Sequence, residues 1–130
     1  MSKAFDKVPH NKIQELLLNC QIPLYLINSV LNVIRHRSTR GRINNSYSKD
    51  TIVNEGVPQG SLLSPILFNL FITDLLKSGL INTIYAYADD IKLLGVNALL
   101  LQHDLDLIEI WCHRNRMELN VDKSAVIHFG

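Results

Sequence analysis

The sequence predicts an α+β domain, with helices packed on one face of a small antiparallel sheet. Three observations carry that prediction. Apolar residues recur at helical spacing in several separate segments. One stretch of β-branched residues among polar ones is broken by an Asn-Asn-Ser turn signal. Two short apolar runs then flank Ala88-Asp89-Asp90.

Taken in order, Asn11 to Cys20 places Ile13, Leu16, Leu17 and Cys20 at helical spacing, with Pro23 at its exit. Leu24 to Arg37 repeats the pattern with Leu24, Ile27, Leu31 and Ile34 on one face. Ser38 to Glu55 changes character: Thr39, Ile43, Tyr47, Thr51, Ile52 and Val53 stand among polar residues around Asn44-Asn45-Ser46, which predicts a two-stranded hairpin. Gly56-Val57-Pro58-Gln59-Gly60-Ser61 reads as a loop. Ser64-Pro65 then opens a helix, Ser as N-cap and Pro at the first helical position. That helix runs to about Leu76, ends at Gly79, and is apolar nearly all round, so it is expected to be buried against a sheet. Thr83 to Tyr87 and Ile91 to Leu94 read as strands about a tight turn. A long amphipathic helix follows, about Val96 to Arg116, with Leu101, Leu105, Ile108 and Cys112 on one face and Gln102, Asp106, Glu109, His113 and Arg116 on the other. Ala125 to Phe129 reads as a last strand.

Composition narrows the function classes. At 130 residues, 47% hydrophobic and 19% charged, the chain suits one domain with a packed core. Thirteen basic and twelve acidic residues leave a net charge of +1, so any grip on nucleic acid must come from local clusters. Two distant cysteines, Cys20 and Cys112, argue against a disulfide framework and read as buried small hydrophobes. The five histidines show no ligand spacing and read as structural, as Trp111 reads as core. No signal peptide or membrane-length apolar run is present, and a soluble intracellular protein is the expectation.

Four features are candidates for chemistry. Asp89-Asp90 sets two carboxylates side by side at a turn, a costly arrangement without a cation, and hard oxygen ligands suit Mg²⁺. Taken alone, the pair is more simply a solvated turn. The Gly56 to Ser61 loop lets backbone approach a ligand, with Gln59 as a hydrogen-bonding group and Ser61 near a helix start, though an ordinary loop reads the same way. Arg35, Arg37, Arg40, Arg42 and Lys49 fall in a segment with no acid between its ends. They suit a phosphate backbone or a solvated basic face about equally. Lys123, after Asn120, could stabilise a pyrophosphate leaving group, but by itself is more simply a solvent-facing lysine.

Order and spacing change those odds. Ser2-Lys3-Ala4-Phe5-Asp6-Lys7-Val8-Pro9-His10 resembles the end of the first palm motif of reverse transcriptases. Gly56 through Phe68, reading GVPQGSLLSPILF, resembles the second, Tyr87-Ala88-Asp89-Asp90 the third, and Trp111 through Phe129, with Leu119-Asn120 and Lys123, the fourth. The second is long and highly specific. The closest flavour is the polymerase of non-LTR, LINE-like retrotransposons. The resemblance implies a palm-like antiparallel sheet backed by helices, spanning residues 1–130 as a partial reverse transcriptase domain. It implies RNA-directed DNA synthesis with two Mg²⁺ ions. RNA template, DNA primer and dNTPs are the implied partners, with no membrane and no stable protein partner indicated. By it Asp89 and Asp90 are metal ligands and, with Lys123, catalytic. Phe5 senses the sugar of the incoming nucleotide, and Gln59, Gly60 and Ser61 lie near template and nucleotide. The family carries a further metal-binding aspartate six residues before the position of Asp6, immediately ahead of Met1. Asp6 is a poor substitute, because six extended residues cover ~20 Å. The expectation is therefore a truncated, inactive piece without fingers or thumb, nuclear by family. The alternative is a non-catalytic nucleic-acid- or protein-binding remnant.

Overall fold

A computed structural model describes Met1 and residues 3–129. Ser2, which opens the first motif, lies outside the described residues.

A short 3-10 turn at Ala4–Asp6 leads into α1 (His10–Asn19) and α2 (Leu24–Ile34). Prolines 9 and 23 stand at the two N-caps, where a missing N–H costs nothing. α1 buries His10, Ile13 and Leu17, and α2 buries Ile27, Leu31 and Ile34. These stripes meet each other, and α1 also packs on the helix that follows the glycine loop. Two expected members of the stripes are exposed. Leu24 overhangs the start of α2 at 67% exposure. Cys20 is exposed rather than buried, because α1 ends at Asn19 and the backbone turns away through Gln21 at φ +56.

The expected hairpin is present, in two ladders. β1 (Arg37–Thr39) pairs with β4 (Thr51–Val53), and β2 (Arg42–Ile43) with β3 (Ser46–Tyr47) around Asn44-Asn45. Arg42 faces Tyr47, whereas Thr39 faces Thr51, so the register slips by one residue between the ladders. Lys49 and Asp50 together oppose Arg40, which is a β-bulge.

α3 (Leu63–Leu76) starts ahead of the expected cap, with Leu62 at the N-cap position. Ser64 is buried inside the first turn and donates its hydroxyl to the Pro58 carbonyl, while Ser61 Oγ accepts the Leu63 N–H at 3.2 Å. Pro65 is tolerated there because first-turn N–H groups have no helical partner anyway. Phe68, Phe71 and Leu75 are wholly buried. The helix packs on α1 and, through Phe71 against Trp111 at 4.9 Å, on the last long helix, and Ile91 and Leu93 of the later hairpin pack against the same core. Its outer face stays open, with Ile66 at 63% exposure.

β5 (Thr83–Tyr87) and β6 (Asp90–Leu94) form a hairpin closed by Ala88 and Asp89. Ala88 has φ +51, a left-handed first loop residue of the kind two-residue hairpins require. α4 (Ala98–Arg114) begins at Asn97, whose side chain accepts the Leu99 and Leu100 amides. Its buried face is Asp104, Ile108, Trp111 and Cys112. The expected stripe is thus rotated: Leu105 is 44% exposed, and an acid occupies the core side. Trp111 donates from Nε1 to Asp74 Oδ2 at 2.8 Å, and Lys12 Nζ meets Asp74 Oδ1 at 3.4 Å, tying α1, α3 and α4 together.

Ala125 to Phe129 is not a strand. No partner lies beside it among the described residues, and Val126, Ile127 and Phe129 are each more than 70% exposed. The single small sheet expected is instead three separate two-stranded ladders. The mixed helix and antiparallel composition keeps the α+β class. Among the described residues, no helix is long and apolar enough to cross a membrane.

Candidate active site

The Lys3–His10 segment and the glycine loop run side by side. Gly56 N–H donates to Val8 O and Val57 N–H to Phe5 O, both at 2.8 Å. Gly56 has φ +82, and a Cβ there would lie 2.5 Å from the Asp6 carbonyl oxygen. Only glycine permits both that rotation and that approach. The Gly56 carbonyl accepts two further bonds, from His10 Nε2 at 2.8 Å and from the Arg37 guanidinium at 2.7 Å. A carbonyl can only accept, so His10 carries its proton on Nε2. Burial holds the His10 imidazole below its ordinary pKa; the Gly56 carbonyl opposes this, and Arg37 and Arg35 push it lower.

Beyond Gly56, Gln59 donates from Nε2 to Asp6 Oδ1 at 2.9 Å. Phe5 stacks on Phe68 with ring centroids 4.3 Å apart. Phe5, Gln59, Gly60, Ser61, Leu62, Ser64 and Pro65 line an open cleft of about 400 Å³. Three residues singled out on the loop and the aromatic of the first motif thus share one cleft. It is mostly apolar, with the Gln59 amide and the Ser61 hydroxyl among its lining groups.

The acidic turn lies against Met1. Asp89 lies in the two-residue loop and is half-buried; Asp90 opens β6, faces Tyr87 and is exposed. The Met1 amine donates to Asp89 O at 3.1 Å and stands 3.8 Å from Asp89 Oδ2. Met1 is four residues from Phe5, a span of at most ~14 Å. The donor set is two hard carboxylates on a short hairpin, which fits Mg²⁺ with water and phosphate completing its shell. Among the described residues, no group of three or more His, Cys, Asp or Glu is placed to hold a metal ion.

The remaining candidates are dispersed. Lys123 ends a 3-10 turn (Val121–Lys123) whose N-cap Asn120 accepts the Lys123 backbone N–H. Its side chain is exposed, and no hydrogen bond or ion pair joins it to the acidic turn. Arg35 donates to Gln14 Oε1 at 2.9 Å, and Arg37 to Ile34 O and Gly56 O, so both hold the scaffold. Arg40 and Arg42 stay exposed, over the Tyr47 ring.

Two groups of consequence escape sequence reading. His10 and Arg37 fix the glycine loop through one carbonyl. Asp104 is fully buried and accepts from Ile81 N–H, Asn82 N–H and Asn82 Nδ2, at 2.8–3.2 Å. Burial alone would raise its carboxyl pKa, but these donors, with His103, hold it well below the carboxylate range. The clamp anchors the entry to β5, and so the hairpin that carries Asp89 and Asp90. Its one sequence signal is position: Asp104 is four residues before Ile108 and seven before Trp111, on the side that α4 buries.

Comparison with known proteins identifies the family of the chain. The family model described as reverse transcriptase (RNA-dependent DNA polymerase) matches residues 1–128. The chain is 32% identical, over 95% of its length, to a probable RNA-directed DNA polymerase from transposon BS of Drosophila melanogaster. It is 33% identical, over 96%, to a retrovirus-related Pol polyprotein from the type-1 retrotransposable element R2 of Popillia japonica. It is 27% identical, over its full length, to the RNA-directed DNA polymerase from mobile element jockey of Drosophila melanogaster. The chain spans 15%, 19% and 16% of those three relatives.

Proposed function

The chain belongs to the reverse transcriptase (RNA-dependent DNA polymerase) family, among the polymerases of non-LTR retrotransposons; on that premise we propose that residues 1–130 form its nucleotide-binding and metal-binding palm portion. The cleft between Phe5 and Gln59–Ser61 receives the incoming dNTP. The Phe5 ring, held flat on Phe68, crowds a 2′-hydroxyl and favours deoxynucleotides. Asp89 and Asp90 hold divalent metal, Mg²⁺ by its preference for hard oxygen ligands. A metal held there by Asp89 and Asp90 would supply activation of the primer hydroxyl and charge stabilisation at phosphorus. Gln59, fixed through Asp6, contacts template or nucleotide. Lys123 contacts the triphosphate. RNA template and DNA primer are the macromolecular partners, which places the activity at chromosomal DNA and hence in the nucleus.

The observation that carries this reading is the hydrogen-bonded pairing of the Lys3–His10 segment with the glycine loop over one cleft. Mn²⁺ binding followed by electron paramagnetic resonance is the direct test. Asp89→Asn with Asp90→Asn should weaken it at least tenfold. Unchanged binding in that variant defeats the reading.

A further inference from the structure

The slip in register of the 37–53 hairpin decides which side chains share a face. Tyr47 and Ile52 are five residues apart, so in an unbroken strand they would point to opposite sides. The extra residue at Lys49-Asp50 brings them together: Arg42 pairs with Tyr47, and Ser38 pairs with Ile52. Arg40 lies between Ser38 and Arg42 at the same alternation. One face of the hairpin therefore carries Arg40, Arg42, Tyr47 and Ile52. Arg37 belongs to the other face and reaches the Gly56 carbonyl, so Arg40, Arg42 and Tyr47 lie opposite it, while Ile52 at the base of the hairpin also lines an open pocket with His10, Arg35 and His36. Tyr47 is 54% and Ile52 72% exposed.

The two guanidiniums are ordered without being neutralised. Their carbons lie 4.6 Å (Arg40) and 5.6 Å (Arg42) from the Tyr47 ring centroid. Arg42 also donates from Nε to Asn44 O at 2.9 Å. Among the described residues, neither arginine is ion-paired. A guanidinium held on a ring keeps N–H groups at its edges for phosphate oxygens.

We infer that this face is a clamp for single-stranded nucleic acid, with Arg40 and Arg42 on two backbone phosphates and Tyr47 and Ile52, about four strand positions apart, each against an unpaired base. The inference rests on the proposed nucleic-acid contact of the chain and adds the surface and the strandedness. The charge complements phosphate, while the exposed aromatic and aliphatic side chains have partners only where bases are unstacked. A duplex would engage the arginines alone.

Fluorescence polarisation with labelled oligouridylate, oligothymidylate and a duplex of equal length, across a range of NaCl concentrations, tests it. The wild-type chain should prefer both single strands to the duplex. Arg40→Ala with Arg42→Ala should lower the slope of log affinity against log salt by about 1.4, at ~0.7 per phosphate lost. Tyr47→Leu should weaken binding roughly two- to fivefold and leave the slope unchanged. Arg114→Ala, an exposed arginine on α4, should change nothing. Arg40→Gln with Arg42→Gln repeats the charge removal if the alanine variant loses its circular dichroism signature. An unaltered slope in these double variants overturns the clamp while leaving nucleic-acid binding intact. Tighter binding to duplex overturns the strandedness. Absence of binding to every oligonucleotide at the lowest salt overturns both the clamp and the nucleic-acid reading it rests on.

Discussion

Gly56→Ala separates the first motif from the glycine loop, and its effect can be worked from two distances. At φ +82 an alanine pays the left-handed penalty, about 1–2 kcal/mol. Its Cβ would also lie 2.5 Å from Asp6 O and 2.7 Å from Asp6 C, both backbone atoms that cannot rotate away. The two segments must part, weakening the Gly56–Val8 and Val57–Phe5 hydrogen bonds, each worth ~0.5–1.5 kcal/mol. The sum is about 2–5 kcal/mol. Gly60→Ala supplies the control, because Gly60 has φ +81 with nothing within 4 Å of a Cβ. It should cost only the backbone term, about 1–2 kcal/mol. Urea unfolding followed by circular dichroism reads the difference. With a slope of ~1–3 kcal/mol per molar, the two midpoints should differ by on the order of 1 M. Equal midpoints would mean that the two motifs do not touch closely, and the shared cleft would lose its basis.

Other consequences follow from the buried polar groups. Trp111→Phe removes the donor to Asp74 and should cost ~1.5–3 kcal/mol, as bonds to charged groups do, by urea unfolding. Asp104 has its folded pKa lowered, so its contribution is complete above the unfolded value near 4 and is lost as pH falls below it. The melting-temperature gap between wild type and Asp104→Asn should be large at neutral pH and shrink in acid. The His10 pKa is also lowered, so its neutral form is the one the fold prefers. Stability is then complete above about pH 6.5 and declines as pH falls through the folded value; His10→Gln should flatten that decline. Burial raises the Cys112 thiol to about 11. Iodoacetamide should therefore label exposed Cys20 quickly and Cys112 only on unfolding, by mass spectrometry.

Periodicity and turn chemistry were enough to place all four long helices and both hairpins, because those signals are local. α2 and α3 needed only their apolar spacing, and Asn44-Asn45 and Ala88-Asp89 needed only their turn chemistry. Motif order was legible too, since it resides in the chain itself, and it sufficed to point to the family that residues 1–128 match. Tertiary structure decided what depends on partners distant in sequence. Ala125 to Phe129 has strand composition and no strand beside it, and a β-ladder needs two. Cys20 has the right spacing for the core, yet the helix stops one residue too soon. Asp104 looks like a solvated acid until Ile81 and Asn82 bring it their amides. The basic stretch was visible as charge, but the bulge opposite Arg40 and the Gly56 carbonyl sorted it into scaffold and exposed face. Local sequence sets which conformation each segment prefers; burial and hydrogen-bond satisfaction, which are sums over the whole chain, set which side chains each segment turns inward.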